Sequence, residues 1–340
     1  MTDKAAAPRA RSRSLKTWSS LGNLGRRPTE YEIVTHDMNH TTGPAGLEMG
    51  PDVWGNRWLR NHRDSMDLVV PEWEQFRDPD QMTYATYVAQ QDDQETYVEG
   101  LLEQFDSQDY DASLTDEALS LLRRALTPTR YVAHSQQMLS AYLQQLAVSS
   151  YVATCAAFQT ADQLRRVQLT AYRTTQLKLT HPDRGFATGE KSTWTEDPEW
   201  QPIRSAFEWA LVEFDWDRAF VATNLVVKPI ADQVFLVHLA SQLAAVDARL
   251  DELIIENLWQ DAQRSLRWTS ALVNYVSTTT NLAVLQRCLD SWSERALEMI
   301  DAGARVIETP SGASAAASAA RIRTTWTGWL GEFGLSVATS

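Results

Sequence analysis

The sequence predicts an all-α protein, and three observations support that fold class. Hydrophobic residues recur with a helical period from about residue 79 almost to the C terminus. No segment shows sustained strand alternation, since the pair Val226-Val227 is too short to count as a strand. Proline and glycine interrupt the helical pattern most clearly across residues 181–198, which separate two halves that each hold a pair of long helices.

Residues 1–78 are predicted to form an extended N-terminal arm, ahead of one helical domain over residues 79–340. The arm is rich in Pro, Gly, Asn, Arg and Ser and lacks a sustained helical period. Residues 1–30 hold seven Lys or Arg against Asp3 and Glu30, which gives a net charge of +5. We expect the arm to bury its large aromatic residues on a partner, the alternative being the chain's own helices: Trp18, Tyr31, Trp54, Trp58 and Trp73.

Nine helices are predicted in the domain that follows the arm. Thr115, ahead of Asp116 and Glu117, is a favourable N-cap for the second of them, which ends near Pro128. The others span about 82–105, 130–158, 160–178, 201–212, 216–243, 250–276 and 282–304, with a last helix after Ser311 that carries Ile322, Trp326 and Trp329.

The composition restricts the compartment and the class of partner. The chain holds 31 basic and 44 acidic residues, and its net charge of −13 argues against a nucleic-acid partner. Cys155 and Cys288 both lie in apolar helical patterns, so neither a disulfide framework nor a cysteine metal site is expected. The basic N terminus is not followed by an apolar stretch, and no run of about 18 apolar residues occurs. We expect a soluble, cytoplasmic protein without a membrane partner.

Aromatic and guanidinium groups give an expectation about assembly. The chain has 13 Trp residues, and several Arg residues recur on otherwise apolar helices. Trp and Arg are enriched at the centres of large interfaces, which favours obligate assembly with a sister subunit. The alternative is an aromatic-rich helical core. Four Arg residues are expected to tie helix to helix or subunit to subunit, namely Arg165, Arg173, Arg264 and Arg267.

Two five-residue segments carry the most specific signal. Residues 162–166 read Asp-Gln-Leu-Arg-Arg, and residues 261–265 read Asp-Ala-Gln-Arg-Ser. In four-helix di-iron proteins, two helices each present a Glu and, three residues later, a His to the metal. Both segments look like Asp-Glu-x-Arg-His segments in which the Glu and His have been replaced. The replacing residues, none of them a strong iron ligand, are Gln163, Arg166, Ala262 and Ser265.

The longer runs around both segments resemble the hydroxylase small (β) subunits of soluble bacterial di-iron monooxygenases. These runs are residues 161–173 and 264–272, and the resemblance covers most of residues 75–300. In the arm, residues 21–22 (Leu-Gly) and 26–28 (Arg-Arg-Pro) are most similar to the propane 2-monooxygenase branch. The resemblance implies a ferritin-like (ribonucleotide-reductase-like) helical bundle.

The same resemblance indicates where the other two ligands of a catalytic (α) subunit would lie. A Leu-Val-x-Glu context reads Leu-Val-Val-Lys over residues 225–228, so Lys228 replaces a carboxylate. The first-helix position falls near Ala133 or His134, where no Glu occurs. We therefore expect no metal, cofactor or catalytic residue in this chain, and we interpret His134 and His238 as core or interface histidines.

A physical substitute for the missing iron is expected in the bundle. Arg166 and Lys228 could neutralise Asp162 and Asp261 through buried ion pairs. The alternative is that Lys228, which precedes Pro229, lies at a helix kink and points to solvent.

The resemblance implies a non-catalytic structural subunit of an α2β2 hydroxylase whose α subunit holds the di-iron centre. A coupling (effector) protein and an NADH-dependent FAD/iron–sulfur reductase would complete the system. The expected reaction is O2-dependent hydroxylation of a hydrocarbon, propane to 2-propanol, with a toluene/phenol or tetrahydrofuran monooxygenase as the alternative. An independent di-iron oxidase is disfavoured by the missing ligands, and a helical scaffold or regulatory protein unrelated to oxygenation is disfavoured by the paired segments.

Overall fold

A computed structural model of the chain describes residues 21–22, 24–36 and 52–337. Every regular element in these ranges is helical, and none of them contains a β-strand. The helices are α1 (Glu30–Thr35), α2 (Trp54–His62), α3 (Tyr84–Asp106), α4 (Asp116–Leu121), α5 (Thr129–Gln145), α6 (Ser150–Thr180), α7 (Glu190–Glu196), α8 (Gln201–Ala210), α9 (Trp216–Ala245), α10 (Arg249–Val276), α11 (Thr279–Ile307) and α12 (Ala315–Gly331).

Most predicted helices are found within a few residues of the expected bounds. Thr115 is the N-cap of α4, since its side chain accepts a hydrogen bond from the backbone N–H of Ala118. Ser314 caps α12 in the same way through the N–H of Ala317. Residues 181–198 form the expected connection between the two halves, although they also contain the short helix α7.

The predicted boundary between residues 158 and 160 is wrong. Helix α6 runs unbroken through it, and the chain instead turns at residues 146–149, between α5 and α6. Ser149 caps α6 by accepting a hydrogen bond from the N–H of Val152. Glu74 from the arm accepts two hydrogen bonds from the backbone N–H and hydroxyl of Ser150, at 3.0 and 2.8 Å. The N-cap Ser149 and the carboxylate of Glu74 therefore fix the turn between α5 and α6, in a stretch that contains neither Gly nor Pro.

Helix α9 is the central helix of the core. It contains two π-helical segments, Val221–Val227 and Gln233–His238, on either side of the α-helical turn Lys228–Asp232. By length and apolar composition α9 is long enough to cross a membrane, but 89% of its apolar window is buried inside the protein. Such burial identifies it as a core helix. The helix continues through Pro229, so that residue does not end it.

The described part of the arm packs on the chain's own helices at three of the predicted aromatic residues. Tyr31 is buried with its ring 5.5 Å from that of Tyr151, and Trp73 meets Trp216 edge-on. The indole N–H of Trp58 donates to the Tyr142 hydroxyl at 3.1 Å. At these residues the contacts favour the alternative of an intramolecular role. Trp54 is 66% exposed, and Trp18 lies outside the described residues.

A buried carboxylate fixes the start of the arm's first helix. Glu32 in α1 completes a capping box with Thr29. Its two oxygens accept hydrogen bonds from the guanidinium of Arg26, both at 2.7 Å, and Arg77 donates to it at 3.3 Å. These bonds, with Arg26 the largest cause, lower the pKa of Glu32 to about 2.

Candidate functional site

Four helices of the bundle, α5, α6, α9 and α10, enclose a polar layer at the centre of the core. Gln159 of α6 donates to Ser140 of α5 at 2.9 Å and exchanges hydrogen bonds with Asn224 of α9. Asn224 in turn donates to Thr269 of α10 at 2.8 Å, and the indole of Trp268 donates to Gln159. All four helices are thereby joined through one satisfied network, as a buried polar layer requires.

The structure brings the predicted ligand positions into this same interior. Every one of them is less than 5% exposed: Gln163, Arg166, Lys228, Ala262 and Ser265. The hydroxyl of Ser265 is directed to the backbone carbonyl of Asp261 in its own helix, at 3.4 Å. Because Lys228 is only 2% exposed, the alternative in which it points to solvent is wrong.

The antiparallel packing of α5 on α6 indicates which α5 residues face the predicted ligand positions Gln163 and Arg166. Since Ser140 faces Gln159, successive turns place Gln136 opposite Gln163 and Ala133 opposite Arg166. Ala133 and Gln136 are both completely buried. His134 is exposed, so of the two expected roles only that of an interface histidine stays a prediction there, whereas His238 is buried.

Asp232, which the sequence analysis did not single out, is the ion-pair partner of the cations at two predicted ligand positions, Arg166 and Lys228. Arg166 donates to Asp232 at 3.1 Å, and the Lys228 ammonium lies 2.5 Å from the other oxygen of Asp232. The prediction that Arg166 and Lys228 pair with Asp162 and Asp261 is therefore wrong. Lys228 and Asp232 are four residues apart on one helix, which makes them neighbours on the same face. Burial lowers the pKa of Arg166, and Asp232 opposes that shift.

Asp162 and Asp261 are paired instead with Arg residues of each other's segment. Arg264 of α10 binds both oxygens of Asp162, and Arg165 of α6 binds Asp261 at 3.0 Å. The Tyr87 hydroxyl also donates to Asp162, at 3.1 Å. We call these two ion pairs the reciprocal lock, because each five-residue segment supplies one Asp and one Arg to the other. Burial raises the pKa of Asp162 to about 7, and Arg264 acts against that rise.

The Arg residues predicted to tie helices together do so within this chain. Arg165 also donates to Asn257 of α10 at 2.7 Å and contacts Glu95 of α3. Arg173 of α6 binds Asp251 of α10 at 2.8 Å and Asp111 at 2.5 Å. Arg267 reaches Asp80 ahead of α3 at 2.6 Å, at a more exposed location. The helix-to-helix contact is confirmed for Arg165, Arg173 and Arg264, whereas Arg267 joins α10 to the turn ahead of α3.

The residues at the predicted ligand positions do not fit a di-iron centre. Iron in such a bundle needs carboxylates and imidazoles, and this set supplies two cations and no carboxylate. The nearby carboxylates of Asp162, Asp232 and Asp261 are each bound by an Arg or Lys. Across residues 21–22, 24–36 and 52–337, no group of three His, Cys, Asp or Glu side chains is placed to hold a metal ion.

Two interior residues, Asp232 and Gln136, were missed in the sequence. Asp232 could have been found, because an acid four residues after a Lys within an apolar helix indicates a buried pair. Gln136 gave no comparable signal. Its side-chain amide has no hydrogen-bond partner within the described chain, and neither does the carbonyl oxygen of the Gln163 side chain.

Comparison with known proteins places this geometry in a family. Residues 53–279, which contain all four helices of the polar layer, match the model of the Methane/Phenol/Alkene Hydroxylase family. The chain belongs to this hydroxylase family. Its two degenerate segments and Lys228 all lie within the matched residues.

Two relatives of this hydroxylase-family chain are named as subunits of a hydroxylase component. The chain is 37% identical over 290 residues to the toluene-4-monooxygenase system hydroxylase component subunit beta of Ectopseudomonas mendocina, covering 84% of this chain and 89% of that protein. It is 27% identical over 127 residues to the propane 2-monooxygenase hydroxylase component small subunit of Mycolicibacterium goodii, with 36% and 34% covered. The predicted identity as a β subunit of a soluble di-iron monooxygenase is confirmed.

A solved structure gives the same result for the fold. A chain of toluene 4-monooxygenase with toluene bound in the resting active site superposes with a TM-score of 0.82 at 36% identity. The match covers 86% of this chain and 97% of that chain. The predicted all-α, ferritin-like bundle is therefore confirmed.

Proposed function

We propose that this chain is a non-catalytic structural subunit of the hydroxylase component of a soluble di-iron monooxygenase. The observation that supports the proposal best is the pairing of Asp232 with Arg166 and Lys228, two residues at positions where the resemblance places iron ligands of a catalytic subunit. These ion pairs and the reciprocal lock hold the bundle together without metal. The chain would then support a sister α subunit that carries the di-iron centre and the substrate pocket.

The assembly we propose follows the family. The chain would form an α2β2 core with the catalytic subunit, and a coupling protein and an NADH-dependent FAD/iron–sulfur reductase would act on that core. The name of the Ectopseudomonas mendocina relative, a beta subunit of a hydroxylase component within a larger system, supports this arrangement. A cytoplasmic location remains part of the proposal. Family membership leaves the alternative of a helical protein unrelated to oxygenation without support.

For the substrate we propose an aromatic compound of the toluene or phenol type. The match to the toluene-4-monooxygenase β subunit spans 84% of the chain, whereas the match to the propane 2-monooxygenase subunit spans 36% at lower identity. Propane oxidation to 2-propanol, favoured by the arm sequence, is the second candidate. Turnover of toluene, phenol, propane and tetrahydrofuran by the chain co-expressed with its catalytic partner would discriminate them, and turnover of propane alone would overturn the aromatic assignment.

Iron analysis of the isolated chain tests the structural role. The chain expressed alone in iron-rich medium should contain far less than one iron per molecule, because the interior offers cations where ligands are needed. A di-iron bundle binds about two irons. Retention of about two irons per chain after gel filtration, together with an oxidase activity, would contradict the proposal.

A further inference from the structure

A groove of about 590 Å³ runs between α3 and α6 on the outer surface of the bundle. Its floor is apolar, since Val98 is fully buried and Leu102 and Leu169 are partly buried beside it. At one edge of the groove, Tyr172 and Leu179 of α6 are 54% and 78% exposed. Large apolar side chains that line a groove and remain in water are typical of an interaction site.

The opposite edge of the groove is acidic. Glu99, Glu103 and Asp106 lie four and three residues apart on α3, so their carboxylates share one face of that helix. All three are exposed, and no Lys or Arg of the described residues forms an ion pair with them. The single cation lining the groove, Arg165, is buried and already bound to Glu95 and Asp261. The groove therefore carries a local negative charge that the described part of the chain does not balance.

We propose that this groove is the docking site for an amphipathic helix of the catalytic hydroxylase subunit, with an apolar stripe flanked by Lys or Arg. The inference rests on the proposed function, because it names the surface through which this chain would hold its sister subunit. The α3 edge from residue 95 to residue 106 spans 12 residues, about 17 Å, which is the length of three helical turns. Helices that enter such grooves bury apolar residues spaced three and four apart.

Charge decides the chemistry of the occupant. An acidic edge repels nucleic acid and anionic lipid, whereas basic side chains along a partner helix would pair with Glu99 and Glu103. The apolar floor would supply the affinity and the carboxylates the orientation of the bound helix. Added salt should therefore weaken the binding of the partner helix. A given increase in salt should have its largest effect on affinity at low ionic strength.

Charge reversal on the acidic edge tests the proposal. The double substitution Glu99→Lys/Glu103→Lys should lower the affinity of the purified full-length chain for its cognate larger hydroxylase subunit by at least about tenfold, or about 1.4 kcal/mol. The matched control is Glu294→Lys/Glu298→Lys, which reverses two exposed carboxylates at the same spacing on α11. The control should bind within about twofold of the wild-type chain. Unchanged affinity in the groove variant, with wild-type circular dichroism, would overturn the assignment.

An apolar substitution tests the other half of the groove. Leu179→Ser should weaken binding, whereas Val69→Ser, which replaces a residue that is 69% exposed outside the groove, should not. A chain lacking residues 1–20 separates the partner helix from the chain's own basic segment. If the effect of Glu99→Lys/Glu103→Lys disappears in that shortened chain, the groove accommodates the arm and the proposal is overturned. If the wild-type chain fails to bind the larger subunit at all, the proposed function fails first.

Discussion

Lys228 lies in the interior, where one neighbouring carboxylate is its ion-pair partner. It shares Asp232 with Arg166, so two positive groups face one negative group in a region closed to water. A buried charge without a partner costs several kcal/mol. Substitutions here should therefore be ranked by the charge imbalance they leave, and only secondarily by the volume they change.

Lys228→Glu should destabilise the protein by about 3–5 kcal/mol, because it leaves two carboxylates against Arg166 alone. Lys228→Met should cost much less, since it leaves Arg166 and Asp232 as a balanced pair and keeps the volume of the side chain. Guanidinium-induced unfolding of both variants measures the difference. A Lys228→Glu protein with the midpoint of the wild type would show that the charge is not held inside.

Glu32 gives a prediction for low pH. Its pKa of about 2 in the folded protein lies below the ordinary value of 4.5, so its ionised form stabilises the fold above pH 4.5. That contribution is lost as the pH falls from 4.5 through 2. Glu32→Gln should cost about 2 kcal/mol at pH 6, because Arg26 and Arg77 lose a charged acceptor. Thermal unfolding of both proteins between pH 6 and pH 3 should show the gap narrowing in acid, and a constant gap would contradict the assignment.

For individual residues, the sequence predicted which side chains are buried better than it predicted which side chains they contact. The resemblance of their segments to the metal segments of di-iron helices placed residues 163, 166, 262 and 265 in the interior, and all four are buried. It could not show that Asp162 and Asp261 bind Arg264 and Arg165, because those contacts join residues about 100 positions apart. Which distant residues pair depends on how each helix is rotated about its axis. That rotation cannot be read from a single sequence.

Helices α6 and α10 are held in register by the reciprocal lock. Both pairs join an Asp of one helix to an Arg of the other, and both lie beside the degenerate ligand positions. Each Asp of the lock has an Arg as its ion-pair partner, although Nη1 of Arg264 is buried without a hydrogen-bond partner. Its two halves lie in equivalent turns of the two helices, so neither helix can slide by a turn without separating both pairs.

Arg264→Leu should destabilise the fold by about 3–5 kcal/mol, because it leaves Asp162 buried beside Tyr87 without its cation. The double variant Asp162→Leu/Arg264→Leu should recover a large part of that loss, since an apolar pair replaces an ion pair at little cost. Chemical denaturation of the two single variants and the double variant measures the coupling free energy. Strictly additive losses would indicate that the two side chains do not act as a pair.

The long helices followed from the apolar period, whereas the short helices α1, α2 and α7 and the break between α5 and α6 did not. Residues 146–149 read Leu-Ala-Val-Ser, a stretch whose pattern gives no reason to end a helix. The break depends on Ser149 as a cap and on Glu74, which approaches Ser150 from the arm. A boundary set by a tertiary contact is not recoverable from local sequence.

The whole molecule has more aromatic core and less aromatic surface than its composition suggested. Trp54 and Trp209 are the most exposed Trp residues of the described chain. Five others lie in the chain's own core, which follows the alternative of an aromatic-rich interior: Trp200, Trp216, Trp268, Trp292 and Trp326. The number of Trp residues therefore did not locate an interface, and the groove between α3 and α6 is defined by aliphatic and acidic groups.

Assembly should be visible as added stability of the whole chain. A partner that binds only the folded state raises the free energy of unfolding by about 2.7 kcal/mol at a free concentration of 100 Kd. The melting temperature of this chain should therefore rise by several degrees when the larger hydroxylase subunit is added in that excess. Addition of an unrelated acidic helical protein is the control. No change with the cognate subunit would argue against a scaffolding role.

Asp232 also makes a metal ligand at residue 228 unfavourable as a single substitution. Lys228→Glu would add a second carboxylate beside Asp232, with Arg166 as their one cation, before any complete set of ligands exists. That step lowers stability and creates no metal site. A carboxylate at residue 228 therefore becomes compatible with this interior only when Asp232 changes with it.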